Sequence, residues 1–195
     1  MKYFSLLIIV VSGTPGVGKS TVANALAKKL NIKLIHLSSF LIQNKAYSEF
    51  DEKRETYIID EEKTELLVNQ LLLKEKDLVI ETIYPALVTR ADKVIVLRRN
   101  PLILYEELKK RGWNELKVAE NVEAEILGIV SREASESFSK VCEIDTSNKS
   151  LDEILDKIEK EMCEKIDWLG DEKVQLLLFE LDKVISKNED YETSE

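Results

Sequence analysis

The densest chemistry in the chain lies in eight consecutive residues, Gly13-Thr14-Pro15-Gly16-Val17-Gly18-Lys19-Ser20. They match G-x-x-x-x-G-K-[ST] in full, and each residue type has a task on a phosphate group. Glycines let the backbone turn its N–H groups inward around an anion. A helix starting at Lys19 adds the partial positive charge of its N-terminus. Lys19 then reaches the β- and γ-phosphates, and the Ser20 hydroxyl can ligand Mg²⁺. Gly13, Gly16, Val17, Gly18 and Thr21 complete the cradle. A chance Gly-rich turn would not lie between an apolar run and an amphipathic helical pattern, as this motif does. The reading is a phosphate-binding loop for a nucleoside triphosphate, ATP, with Mg²⁺.

A second acidic position supports it. Leu78-Val79-Ile80 leads straight into Glu81, a carboxylate at a strand end that suits the Mg²⁺ side of such a loop. Arg98, Arg99, Lys109, Lys110 and Arg111 gather cations in an otherwise acidic chain. They read as phosphate-facing rather than as a solvated basic face. No N/T-K-x-D guanine motif is present; Asn148-Lys149 is followed by Ser150 and Leu151. Catalysis by placed cations is the manner of small-molecule kinases, whose transition state is stabilised by position and electrostatics. His36, the one histidine, stands among Leu34, Ile35 and Leu37 and reads as a satisfied core or strand-end residue rather than a catalyst. Glu120, Glu123 and Glu125 read as solvated helix residues.

These residues need elements to hold them. Short β-rich runs alternate with longer helical patterns, the mark of βαβ units around a parallel sheet. Strands are expected at Phe4–Val11, Lys33–Leu37, Asp77–Glu81, Lys93–Leu97 and Val141–Asp145. Helices are expected over Lys19–Leu30, from an Asp60 cap to Leu73, from Asn100–Pro101 to a closing Gly112, and over Glu115–Phe138. Beyond residue 150 one amphipathic stripe runs from Leu151 to Ile166 and another from Val174 to Ile185, separated by Gly170-Asp171. The tail Asn188–Glu195 is polar and acidic and reads as disordered. The expected organisation is a unit over 1–150 with a helical extension over 151–195.

The chain has 195 residues, enough for one ordinary domain with an appendage. Its net charge of −9 argues against a protein that coats nucleic acid and favours basic protein partners. The run Leu6–Val11 falls short of the roughly 20 residues of a membrane span and leads into a Gly-rich loop, so it reads as a buried strand. Two cysteines, Cys142 and Cys163, show neither zinc spacing nor a disulfide framework. They read as small apolar residues of a reducing, cytoplasmic protein.

The segments Leu97-Arg98-Arg99-Asn100-Pro101, Tyr105–Trp113 (YEELKKRGW), Lys117–Ile126 (KVAENVEAEI) and Glu143–Ser147 (EIDTS), with GTPGVGKST at 13–21, carry a further signal. Together with Asp51–Asp60 they resemble the adenylate kinase isoenzyme 6 family, particularly its archaeal branch. The likeness covers about residues 5–150. It implies an α/β fold of the P-loop NTPase type, a three-layer α/β/α sandwich on a five-stranded parallel sheet of order 2-3-1-4-5. It also implies a flap over the monophosphate near 36–59 and a lid near 110–120. The implied activities are reversible phosphoryl transfer between ATP and AMP, and an ATPase tied to maturation of the small ribosomal subunit with a transiently bound, basic ribosomal protein. On this resemblance Gly16, Gly18, Lys19, Ser20 and Thr21 hold the ATP phosphates, Arg111 is the lid arginine, and Asp145–Ser147 lie near adenine.

Two departures stand out. Where the family's acidic motif pairs a carboxylate with a histidine two residues on, this chain has Glu81-Thr82-Ile83. Where the family places a basic residue early in the flap, this chain has Ile42, and Lys45 and Arg54 are the nearest cations. Guanidinium grips phosphate bidentately, which favours Arg54. The departures leave open a second reading, a nucleotide-switched assembly factor that binds a basic ribosomal protein with little kinase flux.

Overall fold

The computed structural model describes residues 7–52, 54 and 56–192. In chain order the elements are β1 (Leu7–Ser12), α1 (Lys19–Leu30), β2 (Lys33–His36), α2 (Leu37–Gln43), β3 (Tyr47–Asp51), β4 (Thr56–Ile59), α3 (Glu61–Lys74), β5 (Asp77–Glu81), β6 (Lys93–Arg98), α4 (Pro101–Lys110), α5 (Glu115–Ile126), α6 (Ile129–Ser137), β7 (Cys142–Asp145), α7 (Leu151–Glu159) and α8 (Glu172–Glu192). Phe4 to Leu6, expected to open the first strand, lie outside the described residues.

Side chains on a strand alternate between faces, and the central strands are apolar at every interior position, so both faces must be covered. Ile8 and Val10 of β1 enter one apolar cluster, with Val68, Leu71 and Leu72 of α3 and Val130 and Ala134 of α6. Ile9 and Val11 enter the other, with Val22 and Leu26 of α1, Leu104 of α4, Val122 of α5 and Leu177 of α8. The result is a three-layer sandwich. Its sheet runs β2-β5-β1-β6-β7 with every pairing parallel, the expected 2-3-1-4-5 order. This order brings Ser12, Glu81, His36, Arg98 and Asp145, all at C-terminal strand ends, to the edge where ligands bind in open α/β sheets.

Several helix ends follow their sequence signals. Asp60 accepts a hydrogen bond from the Lys63 amide at 3.0 Å, Asn100 accepts from Leu102 at 2.9 Å, and Gly112 adopts φ +74° just past α4. The long helix expected over Glu115–Phe138 is in fact two. Gly128 (φ +62°) breaks it between α5 and α6 and lies 3.6 Å, measured from where a Cβ would stand, from the Arg98 guanidinium. The break turns α5 toward one face of the sheet and α6 toward the other. A β3–β4 antiparallel hairpin, not expected as strands, forms a small separate sheet.

The extension also departs from expectation. The first stripe is helical only over Leu151–Glu159; Glu161 takes φ +49°, and Glu164 forms an antiparallel bridge with Glu143. That bridge brings Cys163 beside Cys142, with Cα atoms 4.9 Å apart, and the two form a disulfide. The reading of two free apolar cysteines is therefore corrected: they are remote in sequence but neighbours in the fold. Val174, Leu177 and Leu181 bury one face of α8 in the same cluster as α5. The tail expected to be disordered from Asn188 continues α8 as far as Glu192, and 193–195 lie outside the described residues. No helix among the described residues is long and apolar enough to cross a membrane.

Candidate functional site

The loop between β1 and α1 is held from beneath. Gly13 takes φ +139°, and a Cβ there would come within 2.3 Å of the Leu97 carbonyl oxygen, so the loop can lie this close to β6 only without a side chain. Gly18 caps α1 in the left-handed region, with open space where a Cβ would stand. Val17 is buried, and its carbonyl oxygen accepts from the Thr146 hydroxyl at 3.0 Å. The loop is thereby fixed to the segment after β7, where the Asp145 carboxylate accepts from the Ser147 amide at 2.8 Å and Ser147 Oγ accepts from the Asn100 amide at 2.7 Å.

Lys19 is only 6% exposed. Its Nζ donates to the Thr14 carbonyl oxygen at 3.0 Å and stands 4.0 Å from Glu81 Oε1. Burial lowers its pKa to about 8, against the pull of Glu81 and Glu125 toward the charged form; Arg111 adds to the lowering. That last influence brings the expected lid arginine, at the C-terminal cap of α4, within electrostatic range of the loop lysine. Ser20 and Thr21, in the first turn of α1, stand exposed at the same mouth. Glu81 faces Lys19 with one oxygen, and with the other meets His36 Nδ1 at 2.9 Å. His36 is thus a half-exposed residue at the end of β2, in register with Glu81, and not a residue of the strand interior.

The expected basic cluster divides. Arg98 is 3% exposed and bound to Glu125 (Nε to Oε1, 2.8 Å) and Glu143 (Nη1 to Oε1, 2.6 Å). Arg99 grips Glu107 with two nitrogens, at 2.9 and 2.6 Å. Both work inside the frame, and Arg111 is the member of the cluster whose charge reaches Lys19. Arg54 donates to Asp51 at 3.2 Å and to Glu120 of α5 at 2.9 Å, so the hairpin and α5 are tied together.

Glu125 is the residue that sequence reasoning missed. Read as solvated, it is 1% exposed. Its Oε2 accepts from the Thr14 hydroxyl at 2.5 Å. Its Oε1 receives Arg98 Nε, the Arg99 amide at 3.1 Å and Trp168 Nε1 at 3.0 Å. A buried carboxylate is tolerable only when paired and hydrogen-bonded in this way. The signal was in the sequence: Val118, Val122, Glu125 and Ile126 share one helical face, and an acid within an apolar stripe has to have partners.

A separate cavity of about 300 Å³ opens between α2, the β3–β4 hairpin and the residues after β5. Ile42, Tyr47, Phe50, Tyr57, Ile83 and Tyr84 are among its walls.

Comparison with known proteins agrees with this arrangement. A family described as an AAA domain matches residues 9–128. A protein of Sulfurisphaera tokodaii named "Putative adenylate kinase" is 56% identical over 184 residues, 94% of this chain and 97% of its own. One of Saccharolobus solfataricus with the same name is 54% identical, over 94% and 98%. Another from Methanocaldococcus jannaschii is 40% identical, over 82% and 92%. Among solved structures, shikimate kinase from Acinetobacter baumannii superposes with a TM-score of 0.58 at 16% identity, over 83% of this chain and 96% of its own. That from Bacteroides thetaiotaomicron gives 0.57 at 14%, over 80% and 98%. These two likenesses concern the fold.

Proposed function

The chain belongs to the archaeal family whose members bear the name "Putative adenylate kinase", P-loop proteins of kinase fold, and from that premise we propose that it transfers the γ-phosphoryl group of ATP to a nucleoside monophosphate, AMP first, as ATP + AMP = 2 ADP. The observation that carries this reading is the buried Lys19, held on the Thr14 carbonyl beside Glu81 at the C-terminal edge of the sheet. A lysine kept dry in a glycine cradle, its charged form disfavoured by burial, is poised for an anion that restores the balance.

In this reading Lys19 leaves the Thr14 carbonyl for the β- and γ-phosphate oxygens, joined by the backbone amides of Gly13 and of Gly16 to Thr21. The acceptor phosphate attacks γ-phosphorus in line, and Arg111 closes over the transferring group. Mg²⁺ favours hard oxygen donors. The Ser20 hydroxyl and the Glu81 carboxylate offer them on either side of Lys19, and would hold an ion that neutralises charge on the β- and γ-oxygens. The flap is 36–59, the lid 110–120, and residues beyond 150 extend a kinase unit of 1–150.

The reading has a finer part. An ATPase linked to small-subunit maturation, acting in the cytoplasm with a basic ribosomal protein, accords with the net charge of −9. The test of the main reading is ADP formation from ATP and each monophosphate in turn. Turnover with AMP should exceed that of Lys19→Ala by at least ~10³-fold, the scale on which phosphoryl-transfer cations act. Equal rates would overturn it.

A further inference from the structure

α8 has two faces of unlike kind. Val174, Leu177 and Leu181 seat one of them in the apolar cluster shared with α5. Half a turn round the helix, Glu172, Leu176, Phe179 and Lys183 recur at i, i+4, i+7 and i+11, so they form one stripe pointing away from the core. All four are exposed, Leu176 at 68% and Phe179 at 60%. The Lys183 ammonium lies 4.0 Å from the centre of the Phe179 ring and covers one of its faces. Two large apolar side chains are thus held outward by a helix firmly seated on its other side.

The charge of this face indicates what covers it. The chain as a whole carries −9, so most of its surface repels a second copy of itself. Between residues 172 and 187 the balance is even, with Glu172, Glu180 and Asp182 against Lys173, Lys183 and Lys187, all exposed. A basic partner gains little from a neutral face. A second α8 gains where opposite signs meet, and in one register they do. Run antiparallel, the pairing that sets Leu176 against Phe179 of the second copy also carries Glu172, four residues before Leu176, to Lys183, four residues after Phe179. The two-fold axis makes each of these contacts twice. On one flank of the stripe, Lys173 and Glu180 of the second copy stand within two residues' rise of the same level, ~3 Å. A slide of four residues either way sets Phe179 against Glu172 or Glu180 and loses the apolar contact.

We propose that the outward face of α8 is a self-association surface whose partner is a second copy of this chain. The two helices lie antiparallel about a two-fold axis, with Leu176 against Phe179 and Glu172 against Lys183. At the spacing of packed helices, about 8–10 Å, side chains at facing positions touch. One helix pair buries less than the roughly 1,600 Å² of a standard interface, so the dimer is a weak one that forms at micromolar to millimolar concentration. The inference is independent of the reaction performed in the cleft.

Sedimentation equilibrium of the full chain over that concentration range should show its mass rising from 22.4 kDa toward twice that value. Phe179→Asp should raise the dissociation constant at least ~10-fold. Glu172→Lys and Lys183→Glu each bring like charges together twice, and each should weaken the dimer at least ~10-fold. An equimolar mixture of those two variants should recover the association of the unaltered chain, because every contact of the mixed pair again joins opposite signs. That recovery also shows that both variants are folded. A chain that stays monomeric at millimolar concentration, a dimer indifferent to the three substitutions, or a mixture no stronger than its components overturns the proposal. So does a face that retains a basic protein while the chain itself remains monomeric.

Discussion

The two halves of the cleft are built on opposite plans. The donor half, as proposed, is a frame of buried charge. Thr14, Lys19, Glu125, Arg98 and Trp168 are joined by hydrogen bonds of 2.5 to 3.0 Å around one carboxylate. The acceptor half, as proposed, is a hairpin with exposed aromatic residues, Phe50 at 47% and Tyr57 at 37%, joined to α5 by the ion pair of Arg54 with Glu120. The contrast teaches how work is divided between them. Triphosphate chemistry is the same for every acceptor and is served by preorganised dipoles and charges. An acceptor must enter and leave, and walls that admit one belong among the more readily opened parts of a fold.

The largest test of this contrast is Glu125→Ala. It strands Arg98 in the interior with one carboxylate partner fewer, and breaking a buried pair on one side costs about 3–5 kcal/mol. Chemical denaturation should show a loss of that size. A loss under about 1 kcal/mol would mean that the frame has no more weight than a surface contact. Next in size is a proton count. The Lys19 pKa is lowered to about 8 by burial, so near pH 8 about half of the free protein carries it neutral. An incoming triphosphate favours the charged form, so ATP binding should take up as much as about half a proton at that pH. Calorimetry in two buffers of different ionisation enthalpy reads the uptake, and buffer-independent heats would contradict it. The same shift sets a sign for stability. The native state binds fewer protons than the unfolded chain between about pH 8 and the ordinary lysine value of 10.5, so this group's contribution opposes folding fully below about 8 and fades as pH rises through that window. The smallest effect belongs to the acceptor half. Arg54 is partly exposed, and Arg54→Ala should cost less than about 1 kcal/mol in stability. A cost nearing that of Glu125→Ala would abolish the distinction between the halves.

Much of the donor half was legible in the sequence because it is local. The motif at 13–20, the cap at Asp60, the Asn100–Pro101 opening and the stop at Gly112 each act over a few residues, and a linear reading finds them. Strand order entered through resemblance, since periodicity gives faces and not neighbours. Glu125 escaped because its partners lie at 14, 98, 99 and 168, and only the fold brings them together. The same holds for His36 and Glu81, which are 45 positions apart yet opposite one another in register. The hairpin escaped because its alternation is weak: Tyr47–Asp51 has no residue fully buried, and it is stabilised by contacts such as Tyr47 with Tyr57, ring centres 4.5 Å apart.

The disulfide between Cys142 and Cys163 closes a ring of chain that contains the Asp145–Ser147 segment and all of α7. One residue beyond that ring, Glu164 accepts from the Asp145 amide at 2.9 Å, so the segment beside the staple and the C-terminal end of β7 share a hydrogen bond. A loop of this length confines the unfolded chain by about 3 kcal/mol in the entropic account. The segment after β7 and the root of the C-terminal helices are thereby made one covalent unit. Neither can detach without the other, and the redox state of the surroundings becomes a determinant of how firmly that edge is shut.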